Sequence, residues 1–153
     1  MYKLLIYLAI NFGALLLGSA LMGNISTNSW YAGLQKAPWT PPGWVFGAAW
    51  FTVMLTFSIF MYRLTAAADA ETLKKIYLIF AVQFVLNVLW NPIFFRWHFP
   101  VAGLIVIAAL AILVWYMFAM GKSIAGWNTL WILPYGIWMI IATSLNAYVV
   151  VKN

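Results

Sequence analysis

The sequence predicts an all-α membrane protein, a five-transmembrane-helix bundle built as a single domain over residues 1–153. Composition is the first observation behind this. Hydrophobic residues make up 67% and charged residues 7%, whereas soluble domains carry about a quarter charged residues. A water-soluble fold could not cover that much apolar surface. The second observation is where the charges fall. Lys3, Lys36, Arg63, Asp69, Glu71, Lys74, Lys75, Arg96, Lys122 and Lys152 leave charge-free stretches of 32, 26, 20, 25 and 29 residues. Each can hold the roughly 20 apolar residues that span a bilayer. Third, these runs lack the alternation of a membrane barrel strand, and helices satisfy their own backbone hydrogen bonds in lipid.

Helix one is expected over residues 4–22. Its apolar run exceeds the roughly 7–15 residues of a signal-peptide core, so Gly18-Ser19-Ala20 reads as helix and not as a cleavage site. Helix two is expected at 44–62, helix three at 73–95 beyond the charged turn holding Asp69 and Glu71, helix four at 99–120 and helix five at 125–150. One connection is long. Residues 23–43 contain Asn24, Ser26, Thr27, Asn28, Ser29, Gly33, Pro38, Pro41 and Pro42, all turn formers or helix breakers. They also contain Trp30, Tyr31 and Trp39, either an interfacial aromatic belt or a lid over a cavity.

Lys3, Arg63, Lys74, Lys75 and Lys122 fall on one side of the membrane and Lys36, Arg96 and Lys152 on the other. The excess favours an N-terminus inside, with the long loop and the C-terminus outward. A multi-pass protein of a cell membrane, that of a bacterium, is the expectation. The net charge of +6 comes from basic residues scattered singly at helix ends. That suits snorkelling and topology setting, not nucleic acid.

Polar side chains inside lipid need a partner or a purpose. On helix three Gln83, Asn87, Asn91 and Phe94 recur about once per turn, with Trp90 at the edge of the stripe. Such a face either glues helices together or lines a ligand site. Helix two sets Phe46, Trp50, Val53 and Phe57 on one face, and helix five sets Tyr135, Trp138, Ala142 and Leu145 on another. Plain packing would account for both; if the faces converge, they enclose an apolar slot suited to a flat π-rich ligand. Small-residue pairs, Gly43 with Gly47, Ala14 with Gly18 and Thr143 with Ala147, are expected to allow close helix approach within a chain or between copies.

Absent groups restrict the chemistry. No acid lies within an expected helix, which argues against a proton-driven pump. The single histidine, His98, sits beside Arg96 and Trp97 in the turn after helix three, where interfacial packing is expected and a metal site is not. With no cysteine, and no serine near a base and an orienting acid, hydrolytic catalysis has no support.

Residues 30–47 (WYAGLQKAPWTPPGWVFG) with Trp50, residues 87–95 (NVLWNPIFF), and residues 134–138 (PYGIW) with Ala142, Leu145 and Asn146 carry a family pattern. In that order they resemble the first loop and second helix, the third-helix signature and the fifth helix of the translocator-protein (TspO/MBR) family. The sequence departs from the pattern at Ala37, which stands between Lys36 and Pro38 where the family joins Lys directly to Pro.

The resemblance implies five tightly packed helices, a ligand pocket closed by the first loop, and homodimers. It implies a receptor or sensor for tetrapyrroles such as protoporphyrin IX, with no cofactor required; sterols and benzodiazepine-type drugs are further ligands in the family. The pocket residues it implies are Tyr31, Phe46, Trp50, Asn87, Trp90, Trp138 and Ala142. Some bacterial members degrade porphyrin under light, with tryptophans matching Trp50 and Trp138 implicated, and a passive carrier of porphyrin or sterol is the other alternative. Leu145, Tyr148 and Lys152 also fit a proposed sterol-contact pattern of branched residue, Tyr and a basic residue, although a helix-end anchor explains them as well.

Overall fold

The structure, a computed structural model, describes residues 2–153. It consists of α1 (Tyr2–Met22), the short α2 (Ser29–Gly33), α3 (Gly43–Ala67), α4 (Ala70–Asn91), α5 (Pro100–Ala125) and α6 (Leu133–Lys152). Tight or widened turns at Ile25–Thr27, Pro92–Arg96 and Gly126–Ile132 join them, and no strand occurs among the described residues. The five long helices pack side by side: α1 lies against α3 and α4, and α5 lies between α4 and α6. Four stretches are long and apolar enough to cross a membrane: Tyr2–Thr27, Gly43–Ala67, Ala70–Arg96 and Pro100–Lys152. The last, of 53 residues, is α5 and α6 folded back on each other at Gly126, whose φ of 55° lies in the left-handed region.

The outer surface carries Leu5, Leu16, Ile105, Ile112, Ile137 and Ile140, all exposed. The interior holds Phe57, Phe60, Met61, Leu64, Ile76 and Tyr135 together with the polar residues Asn11, Ser58, Thr65, Gln83 and Asn146. Apolar groups facing outward around polar pairs is the arrangement of a protein solvated by lipid. This is a multi-pass membrane protein.

Several helix limits differ from the sequence expectation. α3 continues past Tyr62 to Ala67, because the exposed Arg63 can snorkel and need not end a helix. α4 starts at Ala70 because Asp69 caps it, its Oδ1 accepting from the N–H groups of Glu71 (3.0 Å) and Thr72 (2.8 Å). Those bonds, that from Thr72 foremost, hold the Asp69 carboxyl below the usual carboxylate range. Pro92 brings no N–H to the ladder, and the chain from Pro92 to Arg96 widens into a π turn. It closes with the Trp97 N–H donating to the Pro92 carbonyl at 2.8 Å. α5 runs on to Ala125, and residues expected to open helix five, Gly126–Ile132, form a 3-10 turn instead. The α-helical part begins at Leu133, with Pro134 in the first turn where its missing N–H costs nothing.

The α1–α3 seam is closed at one end and open at the other. Tyr7 Oη donates to Thr65 Oγ1 (3.1 Å), Asn11 Nδ2 donates to Ser58 Oγ (2.8 Å), and Phe12 meets Phe51 edge-on at 5.4 Å. Toward the long loop the helices part. A Cβ on Gly43 or Gly47 would meet nothing within 4 Å, so this pair does not mediate a close approach within the chain. α1 packs on α4 there instead: a Cβ on Gly18 would stand 2.7 Å from Asn91 Nδ2.

Candidate ligand-binding site

The expected faces of α3 and α6 meet. Phe46 stands edge-on to Trp138 (5.4 Å between ring centroids), Trp50 to Trp138 (6.4 Å) and to Tyr135 (6.2 Å), and Phe57 to Tyr135 (5.1 Å). Edge-to-face rings at these separations favour one another beyond the area they bury. Tyr135 is fixed from behind by Gln83, whose Nε2 donates to its hydroxyl at 2.8 Å. In the polar stripe of α4, then, Gln83 acts as interhelical glue.

Above these rings lies a cavity of about 600 Å³, within the roughly 300–1,000 Å³ usual for small-molecule sites. Its walls include Tyr31, Phe46, Trp50, Asn87, Trp90, Trp138 and Ala142, so all seven residues singled out in the sequence come together on one surface. Trp90 is held by Asn146: its Nε1 donates to Asn146 Oδ1 at 3.1 Å, while Asn146 Nδ2 donates to the Pro100 carbonyl at 2.8 Å. Trp138 and Asn87 differ. The Trp138 Nε1 and the Asn87 side-chain carbonyl are both buried without a hydrogen-bond partner. An unsatisfied buried polar atom costs about 1–3 kcal/mol, and neither atom is exposed to the cavity.

The long loop roofs the cavity and is tied down at three places. Asn28 caps α2, accepting from the Tyr31 N–H (3.0 Å), and its Nδ2 donates to the Phe95 carbonyl (2.8 Å) that the π turn leaves available. The Gln35 N–H donates to Asn153 Oδ1 (2.9 Å), and Trp39 Nε1 donates to Ser144 Oγ (3.1 Å). Ala37, the departure from the family pattern, is buried; its carbonyl accepts from the Thr40 N–H (2.9 Å) in a turn with Pro38 second. Tyr31 packs edge-on against Phe95 (5.1 Å), and burial pushes its phenol above the ordinary value. Trp30 stacks on His98 at 4.4 Å, and His98 takes a φ of 59° at the end of the π turn. His98 is a packing residue that fastens the loop.

Of the sterol candidates, Leu145 lines a small neighbouring pocket of about 50 Å³. Tyr148 lies under Trp39 (5.4 Å, edge-on), with Lys152 Nζ 6.0 Å from its ring; neither is on the main cavity. Residues not expected in the pocket also line that cavity. α1 contributes Ala14, Leu15, Ser19 and Met22, and the loop contributes Lys36, Thr40 and Pro41. Leu16, Gly43 and Gly47, exposed beside the parted seam, complete a side opening. Nothing distinguishes the α1 residues from lipid-facing ones in the sequence, whereas Lys36 carried a signal, a lone cation between Tyr31 and Trp39.

The sequence profile of the TspO/MBR family matches residues 6–151. The chain is 34% identical to protein CrtK of Rhodobacter capsulatus over 90% of its own length and 87% of the relative's. It is 33% identical to the tryptophan-rich protein TspO of Archaeoglobus fulgidus, over 84% of the chain and 82% of that protein. With the tryptophan-rich sensory protein of Cereibacter sphaeroides the identity is 30%, over 80% of the chain and 75% of the relative.

Proposed function

The chain belongs to the TspO/MBR family, and we propose that it works as a membrane receptor for flat, largely apolar ligands of the tetrapyrrole class, protoporphyrin IX among them. Five membrane crossings by α1, α3, α4, α5 and α6 go with this reading; each has 20 or more residues, about 30 Å or longer at 1.5 Å per residue. The N-terminus faces the cytoplasm of a bacterial cell, the loop faces outward, and two copies associate in the membrane. The sensory name of the Cereibacter relative fits a receptor.

One observation carries the proposal. A cavity of about 600 Å³ is walled by the rings of Phe46, Trp50, Trp90 and Trp138. Ring edges and faces suit a planar π system. The test is a dark titration of purified protein with protoporphyrin IX, followed by quenching of tryptophan fluorescence, in the wild type and in Trp138→Ala. Saturable quenching weakened about tenfold or more by the substitution is expected. No saturable quenching in folded wild-type protein would remove the tetrapyrrole reading.

The Trp50–Trp138 pair favours a second reading, in which the bound porphyrin is degraded under light. An excited porphyrin passes energy to oxygen, and indoles at the cavity wall intercept the product. The protein then holds and shields the ligand while light and oxygen supply the chemistry.

A further inference from the structure

Among the described residues, Lys36 is the one charged residue on the wall of the cavity, and it lines the small neighbouring pocket as well. It is partly buried within the loop, with its Nζ 4.5 Å from the centre of the Tyr31 ring. A ring face attracts a cation but leaves its hydrogen-bond donors unused. The acidic side chains that could pair with it, Asp69 and Glu71, lie beyond the far end of α3. That helix of 25 residues sets them roughly 35 Å or more away. Lys36 is thus a cation without an acidic side-chain partner, on the wall of a largely apolar cavity that Trp50 and Trp138 also line.

We propose that the ligand is an amphiphilic acid: its flat apolar body lies against Trp50 and Trp138, and a carboxylate on its edge pairs with the Lys36 ammonium. Lys36 then selects for the acid over its neutral ester and fixes which edge of the ligand faces the loop. This deepens the receptor reading and rests on it. Partial burial strengthens the ion pair relative to one in water, and charge-assisted hydrogen bonds of this kind are the strong ones.

The probes are protoporphyrin IX, with its two propionic acids, and its dimethyl ester, titrated in the dark in phosphatidylcholine nanodiscs free of anionic lipid. Wild type is expected to prefer the acid about tenfold or more. Lys36→Met is expected to bring that preference below about threefold by weakening the acid, and Lys36→Arg to keep it. Equal binding of acid and ester by wild type, or a preference that survives in Lys36→Met, would overturn the inference and leave the receptor reading standing. Failure of both probes to bind folded wild type would bring down the two together. Added anionic lipid that abolishes the preference through Lys36 would assign the lysine to lipid headgroups and also overturn it.

Discussion

The indole of Trp138 stands edge-on to that of Trp50, ring centroids 6.4 Å apart at 76°, and the two come from helices far apart in sequence. Both reach the same cavity, so a bound porphyrin would meet them together. Under illumination with bound protoporphyrin IX, Trp50→Phe and Trp138→Phe are each expected to lower product formation severalfold, with dark affinity changed far less than by Trp138→Ala. Absorbance loss at the porphyrin bands measures this; unchanged loss in both variants would take the indoles out of the photochemistry.

Asn28 joins the loop to the bundle through both ends of its amide. Asn28→Ala removes a helix cap worth about 1 kcal/mol and a hydrogen bond worth about 0.5–1.5 kcal/mol. Cleavage of residues 23–43 by a non-specific protease is expected to speed up about tenfold, while the thermal midpoint of the bundle moves little. An unchanged cleavage rate would mean that the other two ties suffice.

Two glycines should respond oppositely to alanine. A Cβ on Gly121 would lie 2.9 Å from both Phe60 and Thr129, and Phe60 is fully buried. Gly121→Ala is expected to destabilise by about 1–3 kcal/mol through overpacking. At Gly47 a Cβ meets open space, so Gly47→Ala is expected to be neutral or to stabilise by up to about 1 kcal/mol through helix propensity. Denaturation of the two variants in one detergent distinguishes them.

The Asp69 cap gives a signed pH dependence. Its folded pKa is lowered, foremost by the Thr72 N–H. The stabilisation is therefore present above the unfolded value of about 3.9 and is lost as pH falls through the lower folded value. The melting temperature of the wild type should drop between about pH 5 and pH 2, and Asp69→Asn should flatten that limb, because an amide oxygen accepts the two N–H bonds without titrating. A wild-type curve as flat as the variant's would refute the assignment.

Much of this molecule was legible in the residues. Charge-free runs located all five long helices, because a charge in lipid is costly whatever the fold. The stripes Phe46, Trp50, Phe57 and Tyr135, Trp138, Ala142 converge because helical spacing fixes a face and three-dimensional packing only has to choose what it meets. The rest depended on tertiary relations. The 3-10 turn at Gly126–Ile132 carries Gly126, Asn128 and Thr129, turn formers that an otherwise apolar run absorbed into the expected fifth helix. Ala14, Leu15 and Ser19 line the cavity only because α1 leans toward α4 at Gly18 and away from α3 at Gly47. Lys36, counted for its charge in setting topology, is turned inward over Tyr31 by the Ala37–Thr40 turn that follows it.

The parted α1–α3 seam changes the thermodynamics of any ligand that enters through it. Lipid tails are as apolar as leucine, so a planar molecule leaving the acyl region for the cavity exchanges one oily surrounding for another and sheds little hydration. The water-release contribution that dominates recognition in soluble proteins nearly cancels, and its heat-capacity signature cancels with it. Discrimination then falls to flatness and to the placement of a few polar atoms, and two equally oily compounds can differ widely in affinity. Occupancy follows the mole fraction of ligand dissolved in the bilayer, not its concentration in the surrounding water.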